Sequence, residues 1–140
     1  MLQRKQSIWL LLAALINSGV IFLDLFRVHT VVNGTETIVP YRTDQHFPLL
    51  IIAIVMIAIP LVTVFMFKDR KRQIRMCIAS IVAAGSFISK ELLDAKVTPP
   101  TTVTYWIGAV LPVVSLIFII LAISGIRKDE KLVRSVDRLR

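Results

Sequence analysis

KDRKRQIR, residues 68–75, carries five Lys or Arg against one Asp and interrupts an otherwise apolar chain near its midpoint. Two long apolar segments precede it and two follow it. Basic residues in short loops stay on the cytoplasmic side of a membrane, so this stretch sets the direction of every other element. The expected fold is all-α and integral to the membrane. It is a four-transmembrane-helix bundle, N-in/C-in, with a small extracytoplasmic β-hairpin between helices 1 and 2 and a basic amphipathic C-terminal helix.

Composition agrees with that class. The 140 residues are 56% hydrophobic with a mean hydropathy of +0.75, above what a soluble domain carries. The net charge of +8 sits beside apolar runs. Topology and anionic lipid head groups therefore explain it more simply than nucleic acid. The single cysteine, Cys77, excludes an internal disulfide and any multi-cysteine metal site. No repeat or low-complexity tract is visible, and one domain is expected over 1–140.

Outward from the basic stretch, the preceding span is Phe47–Phe67, which has no charge. Pro60 within it removes one backbone hydrogen bond, tolerable where a neighbour satisfies the freed carbonyl. Before that lies an outside loop, 27–46. VHTVV and TETIV flank Asn33-Gly34, a pair suited to a type I′ turn. The register then sets Val32 against Thr35, Thr30 against Thr37 and Val28 against Val39. A lone ribbon is marginal in water, so the hairpin is expected to lean on the second outside loop, the bilayer or another protein. Asn33-Gly34-Thr35 matches a glycosylation triplet too common to carry weight. His29 and His46 lack the further ligands a metal needs.

The first span is read over about 8–26, since a crossing needs ~20 residues. Arg4 and Lys5 ahead of an apolar run also fit a signal peptide, but the run is long and no A-x-A site follows, so retention is expected. Asn17, Ser18 and Gly19 suit close helix packing more than a ligand contact. Asp24 falls near the outer interface.

Beyond the basic stretch, the third span is the weak one. Met76–Ser89 is too short to cross alone, and extension over 76–93 takes Lys90 and Glu91 into the outer membrane region. Lys90 has two candidate partners: Asp94, one turn on, and Asp24 across the bundle. Asp24, Lys90, Glu91 and Asp94 are thus the expected intramembrane charge cluster. Ser86 and Lys90 share a face four residues apart, the spacing of a Ser–Lys hydrolase pair, although two common residues at a common spacing specify little. After Pro99-Pro100, which demands an extended turn, the fourth span covers 105–126 with Pro112 inside it. Tyr105 and Trp106, and Trp9 at the other side, suit an interfacial aromatic belt.

The tail, 127–140, sets Arg127, Lys131, Arg134 and Arg138 on one helical stripe and Leu132, Val133, Val136 and Leu139 opposite. Three inside segments hold two, five and six of the chain's basic residues, thirteen of 17. Arg4, Arg70, Arg72, Arg75, Arg127, Lys131, Arg134 and Arg138 form the candidate face for a protein partner or for lipid.

MLQRKQSIWLLLAAL at the start, FKDRKRQIRMCIA at the centre and LAISGIRKDEKLVRSVDRLR at the end together resemble a family of small four-helix inner-membrane proteins from the Bacteroidota, known as domain of unknown function 4293. The resemblance implies the same topology and a bacterial inner-membrane location, multi-pass. It implies no substrate, cofactor or catalytic residue. It draws attention to polar inside-facing residues, among them Gln3, Gln73, Lys128, Asp129, Glu130 and Asp137.

Three functions are weighed. The first is a non-catalytic subunit, scaffold or assembly factor of a larger inner-membrane complex, such as export or envelope machinery, contacting other membrane proteins through the basic face. The second is a small transporter or channel built on Asp24, Lys90 and Glu91, which would need a homo-oligomer because four spans are few for an enclosed pathway. The third, a hydrolase using Ser86 and Lys90, has the least support. No cofactor, metal or nucleic acid is expected.

Overall fold

The computed structural model describes residues 3–32, 35–66, 69–97 and 102–137; within these, the side chains of 3–5, 32, 97 and 134–137 lie outside the description. In order come helix α1 (Gln3–Phe22), strands β1 (Asp24–Val32) and β2 (Thr35–Arg42), a 3-10 turn (Thr43–Gln45), helices α2 (Phe47–Phe65) and α3 (Arg70–Val97), strand β3 (Thr102–Tyr105) and helix α4 (Ile107–Asp137). The architecture is four helices with one small sheet at one end.

Three of the helices are long and apolar enough to cross a membrane: Phe47–Phe65, Arg70–Lys96 and Ile107–Val133. The apolar part of α1, Gln6–Phe22, is shorter. The expected continuation of that span to Phe26 is corrected here, because α1 ends at Phe22 and Asp24, Leu25 and Phe26 belong to β1. The physical reason lies in the last turn of α1, whose carbonyls need donors from outside the helix. Thr43 Oγ1 donates to the Val20 carbonyl (2.8 Å) and Arg42 Nη2 to that of Phe22 (3.4 Å). The chain after β2 therefore caps the helix and frees Leu25 and Phe26 for the core, where both are fully buried.

The expected hairpin pairs all form: Val32 with Thr35, Thr30 with Thr37, Val28 with Val39. The turn itself, Asn33-Gly34, lies outside the described residues. The hairpin starts three residues earlier than expected, and it does not stand alone. β3 pairs with β1 from Phe26↔Tyr105 to His29↔Thr102, giving a sheet of order β2-β1-β3. The second loop thus supplies a strand where only an extended turn was expected, and Tyr105 lies in that strand rather than in the fourth span.

Two further boundaries move. KDRKRQIR is mostly helix rather than loop, because α3 begins at Arg70. Asp69 initiates it: its Oδ1 accepts the Arg72 amide (3.1 Å), an N-cap bond. Lys68 lies outside the described residues. At the other end of the chain, α4 runs without a break through the fourth span and into the tail, 31 residues in all.

α1 and α3 each pack against both α2 and α4, so the four helices form a ring. Two apolar clusters fill it. One, beneath the sheet, gathers Val20, Phe26, Leu49, Met56, Phe87 and Ala95. The other, at the end carrying the basic residues, gathers Leu10, Cys77, Ile119 and Ile126. The outer surface is strongly apolar at helical positions; Leu15 (68%), Val82 (63%) and Ile120 (56%) are exposed. Large apolar side chains in such numbers outside a soluble protein would be unstable against association.

Candidate functional site

The charged residues gather at two ends of the bundle. At the sheet end they centre on the last turns of α3. Lys90 Nζ is ion-paired with Asp94 Oδ1, the one-turn partner that their spacing allows. Asp94 also accepts from Tyr41 Oη (2.8 Å), so one carboxylate ties β2 to α3. Tyr41 stacks between Phe26 (centroids 4.2 Å apart) and His46 (3.9 Å). Burial, then the hydrogen bond to and the charge of Asp94, raise the Tyr41 hydroxyl pKa above its ordinary value, since each of them disfavours the phenolate.

Asp24 is not part of this tie. It pairs with Arg27 (3.1 Å), and the Arg27 guanidinium lies 4.0 Å from the Trp106 ring centroid. The Trp106 amide donates to the Leu25 carbonyl (2.9 Å). Asp24 and Arg27 thus fasten β1 to the start of α4, while Lys90 and Asp94 fasten β2 to α3. Of the four cluster residues, Lys90 and Asp94 meet, Asp24 goes elsewhere, and Glu91 stands apart. Glu91 is 2% exposed, and its Oε1 has no hydrogen-bond partner among the described residues. It lies on the buried α3 stripe of Ala84, Phe87 and Ala95.

The other sequence candidates fall as follows. Ser86 Oγ donates to its own helix at the Val82 carbonyl (2.9 Å), while Lys90 is held by Asp94. No hydrogen bond between Ser86 and Lys90 is among the contacts described. His29 Nε2 lies 3.2 Å from Thr104 Oγ1, and His46 stacks on Tyr41. Among the described residues no group of three His, Cys, Asp or Glu is placed to hold a metal ion.

At the basic end, Arg70 bridges α3 and α4. Its Nη1 donates to the Asp129 carbonyl (3.2 Å), and its Nη2 lies 3.1 Å from Asp129 Oδ2. Arg72 pairs with Asp69 (2.9 Å). Arg75, Arg127 and Lys131 are exposed. Arg4 lies in the first turn of α1 and Arg134 in the last part of α4, and Arg138 is outside the described residues. Below this surface Gln73 Nε2 donates to the Thr63 carbonyl (3.4 Å). Gln6, 4% exposed, packs on Gly125, where a Cβ would lie 2.9 Å from Gln6 Cγ.

The sequence alone does not mark Tyr41 as a site residue. The hairpin register held the signal: Val28 opposite Val39 sets Phe26 and Tyr41 on one face of the sheet, the face that packs on the bundle.

The family described as Domain of unknown function (DUF4293) matches residues 2–139. No curated protein and no solved structure matches the chain.

Proposed function

The chain belongs to the DUF4293 family, and we propose that it acts there as a non-catalytic subunit, scaffold or assembly factor of a larger bacterial inner-membrane complex. In this reading all four helices cross, with both termini cytoplasmic, and the basic end contacts partner proteins and anionic head groups. The charge asymmetry supports that orientation. In that orientation the sheet lies outside and the Arg70–Asp129 bridge inside.

One observation carries the partner reading. Helix α4 continues unbroken for eleven residues past Ile126, as far as Asp137. At 1.5 Å per residue that is about 16 Å of helix beyond the apolar segment. Arg70 grips it through two nitrogens. A basic extension that is already helical and already anchored loses little conformational entropy on docking, so it suits a fixed partner.

Two experiments test this. Affinity purification in mild detergent followed by mass spectrometry should recover the same membrane proteins reproducibly; a chain that always elutes alone rejects the reading. Tags at both termini should be unreachable from outside intact cells, and labelling of either one rejects the orientation.

The transporter reading has one observation in its favour, the buried Glu91, whose Oε1 has no hydrogen-bond partner among the described residues. Against it, Asp24 and Lys90 are engaged separately, with Arg27 and Asp94. If Glu91→Gln, Lys90→Ala and Asp24→Asn all leave ion and solute fluxes in proteoliposomes unchanged, that reading is excluded.

A further inference from the structure

A groove of about 390 Å³ runs between α1 and α2, lined by Leu11, Ala14, Leu15, Ser18, Ile57 and Leu61. The four α1 positions are spaced i, i+3, i+4 and i+7, and the two α2 positions i and i+4, so each set is one stripe on its helix. Ala14 leaves the notch between the larger walls. Beside it, Asn17 Nδ2 bonds the Met56 carbonyl (3.1 Å), one residue from Ser18 on one wall and from Ile57 on the other. That bond sets the helix spacing at the groove. Leu11 is 48% exposed and Leu15 68%, so the groove opens sideways, away from the bundle interior.

Charge identifies the guest. α1 and α2 together contain no Asp or Glu, and their only cations are Arg4 and Lys5. Arg4 precedes Leu11 by seven residues, two turns along the same stripe, or about 10 Å. The groove therefore has an apolar middle and the basic start of α1 at one end, while at the sheet end the one nearby cation described, Arg42, is ion-paired with Asp44 (3.5 Å). We infer that it seats one acyl chain of an anionic phospholipid, with the head group at the basic end, where α1 begins. This rests on the membrane reading above, but not on the existence of a protein partner. A zwitterionic lipid fits the apolar wall equally well and lacks the charge that the end favours.

The test uses the full chain in nanodiscs of mixed phosphatidylglycerol and phosphatidylcholine, released into the gas phase for native mass spectrometry. The expected result is one tightly retained phosphatidylglycerol. Ser18→Leu with Ile57→Phe fills the groove and removes it. Arg4→Gln with Lys5→Gln weakens retention about fivefold per cation removed. Retention unchanged in the filled variant overturns the proposal, as does equal retention of phosphatidylcholine. A second copy in the groove is read from Leu15→Cys in a Cys77→Ala background: a disulfide dimer formed in the nanodisc also overturns it. Because lipid is counted on the isolated protein, loss of this site and loss of the complex-subunit reading are separate outcomes.

Discussion

Asn17 of α1 donates its side-chain amide to the carbonyl of Met56 in α2 (3.1 Å), the carbonyl that Pro60 leaves without a helical donor. Proline has no N–H, so the acceptor four residues before it is orphaned. Both Asn17 and Met56 are fully buried. An unsatisfied carbonyl there has no water to turn to, and the cost falls on the fold. The polar residue of one helix and the proline of the next are thus one device.

Asn17→Leu is expected to lower stability by about 1–2 kcal/mol, read from unfolding in detergent. In a Pro60→Ala background residue 60 supplies the missing amide, so the cost of Asn17→Leu should shrink toward zero. An equal cost in both backgrounds would show that the bond has nothing to do with the proline.

Gly108, at the start of α4, tests how closely β1 is docked. A Cβ there would collide with the Asp24 carbonyl oxygen and lie 2.9 Å from its carbon, and backbone cannot swing aside as a side chain can. Gly108→Ala should cost about 3 kcal/mol or displace β1 from α4. Gly85, inside α3, has nothing within 4 Å of its Cβ position, so Gly85→Ala should instead stabilise by about 0.5–1 kcal/mol through helix propensity. If the two variants melt alike, the close approach at Gly108 is wrong.

Much of this was legible in the chain, for identifiable reasons. Asn33-Gly34 between β-branched runs determines a register, and every expected pair formed. The Lys90–Asp94 pair could be read from its one-turn spacing. Leu25 and Phe26 misled because a short apolar run has the same appearance in a buried strand as at a helix end. The caps that stop α1, Arg42 and Thr43, lie about twenty residues downstream. Thr102–Tyr105 is too short to announce itself as a strand without β1 beside it. Arg70–Arg75 looked like loop because charge dominates composition, while the helix start was carried by one residue, Asp69. Tyr41 and Asp94 are 53 positions apart, and only the folded bundle brings them together.

Tyr41 gives a pH dependence of definite sign. Its hydroxyl pKa is raised in the folded state by burial and by Asp94, while in the unfolded chain it titrates near 10. The contribution to stability is therefore fully present below about pH 10 and is lost as the pH rises further, when the unfolded chain ionises first. In a Tyr105→Phe background, which leaves Tyr41 as the remaining tyrosine, tyrosinate absorbance should develop at higher pH in the folded protein than after unfolding. Tyr41→Phe should remove that component of the alkaline loss. Coincident titrations in the folded and unfolded states would rule out the Tyr41–Asp94 bond.

The Arg70–Asp129 bridge makes a last distinction, between holding the fold and presenting a surface. Both side chains are partly buried, 28% and 16% exposed, and two guanidinium nitrogens are used, one on the backbone and one on the carboxylate. A lysine has the charge but a single point of donation. Arg70→Ala should lower global stability by only about 1 kcal/mol, because the two apolar clusters do not depend on it. The segment after Ile126 should nevertheless loosen, read as faster proteolysis at Arg127–Lys131, with Arg70→Lys intermediate and added salt having the same direction of effect. If α4 presents its basic extension to a partner, Arg70→Ala should also reduce partner recovery while the protein still reaches the membrane folded. Loss of partner with no change in proteolysis would mean that Arg70 is itself contacted, and no loss of either would remove the bridge from the mechanism.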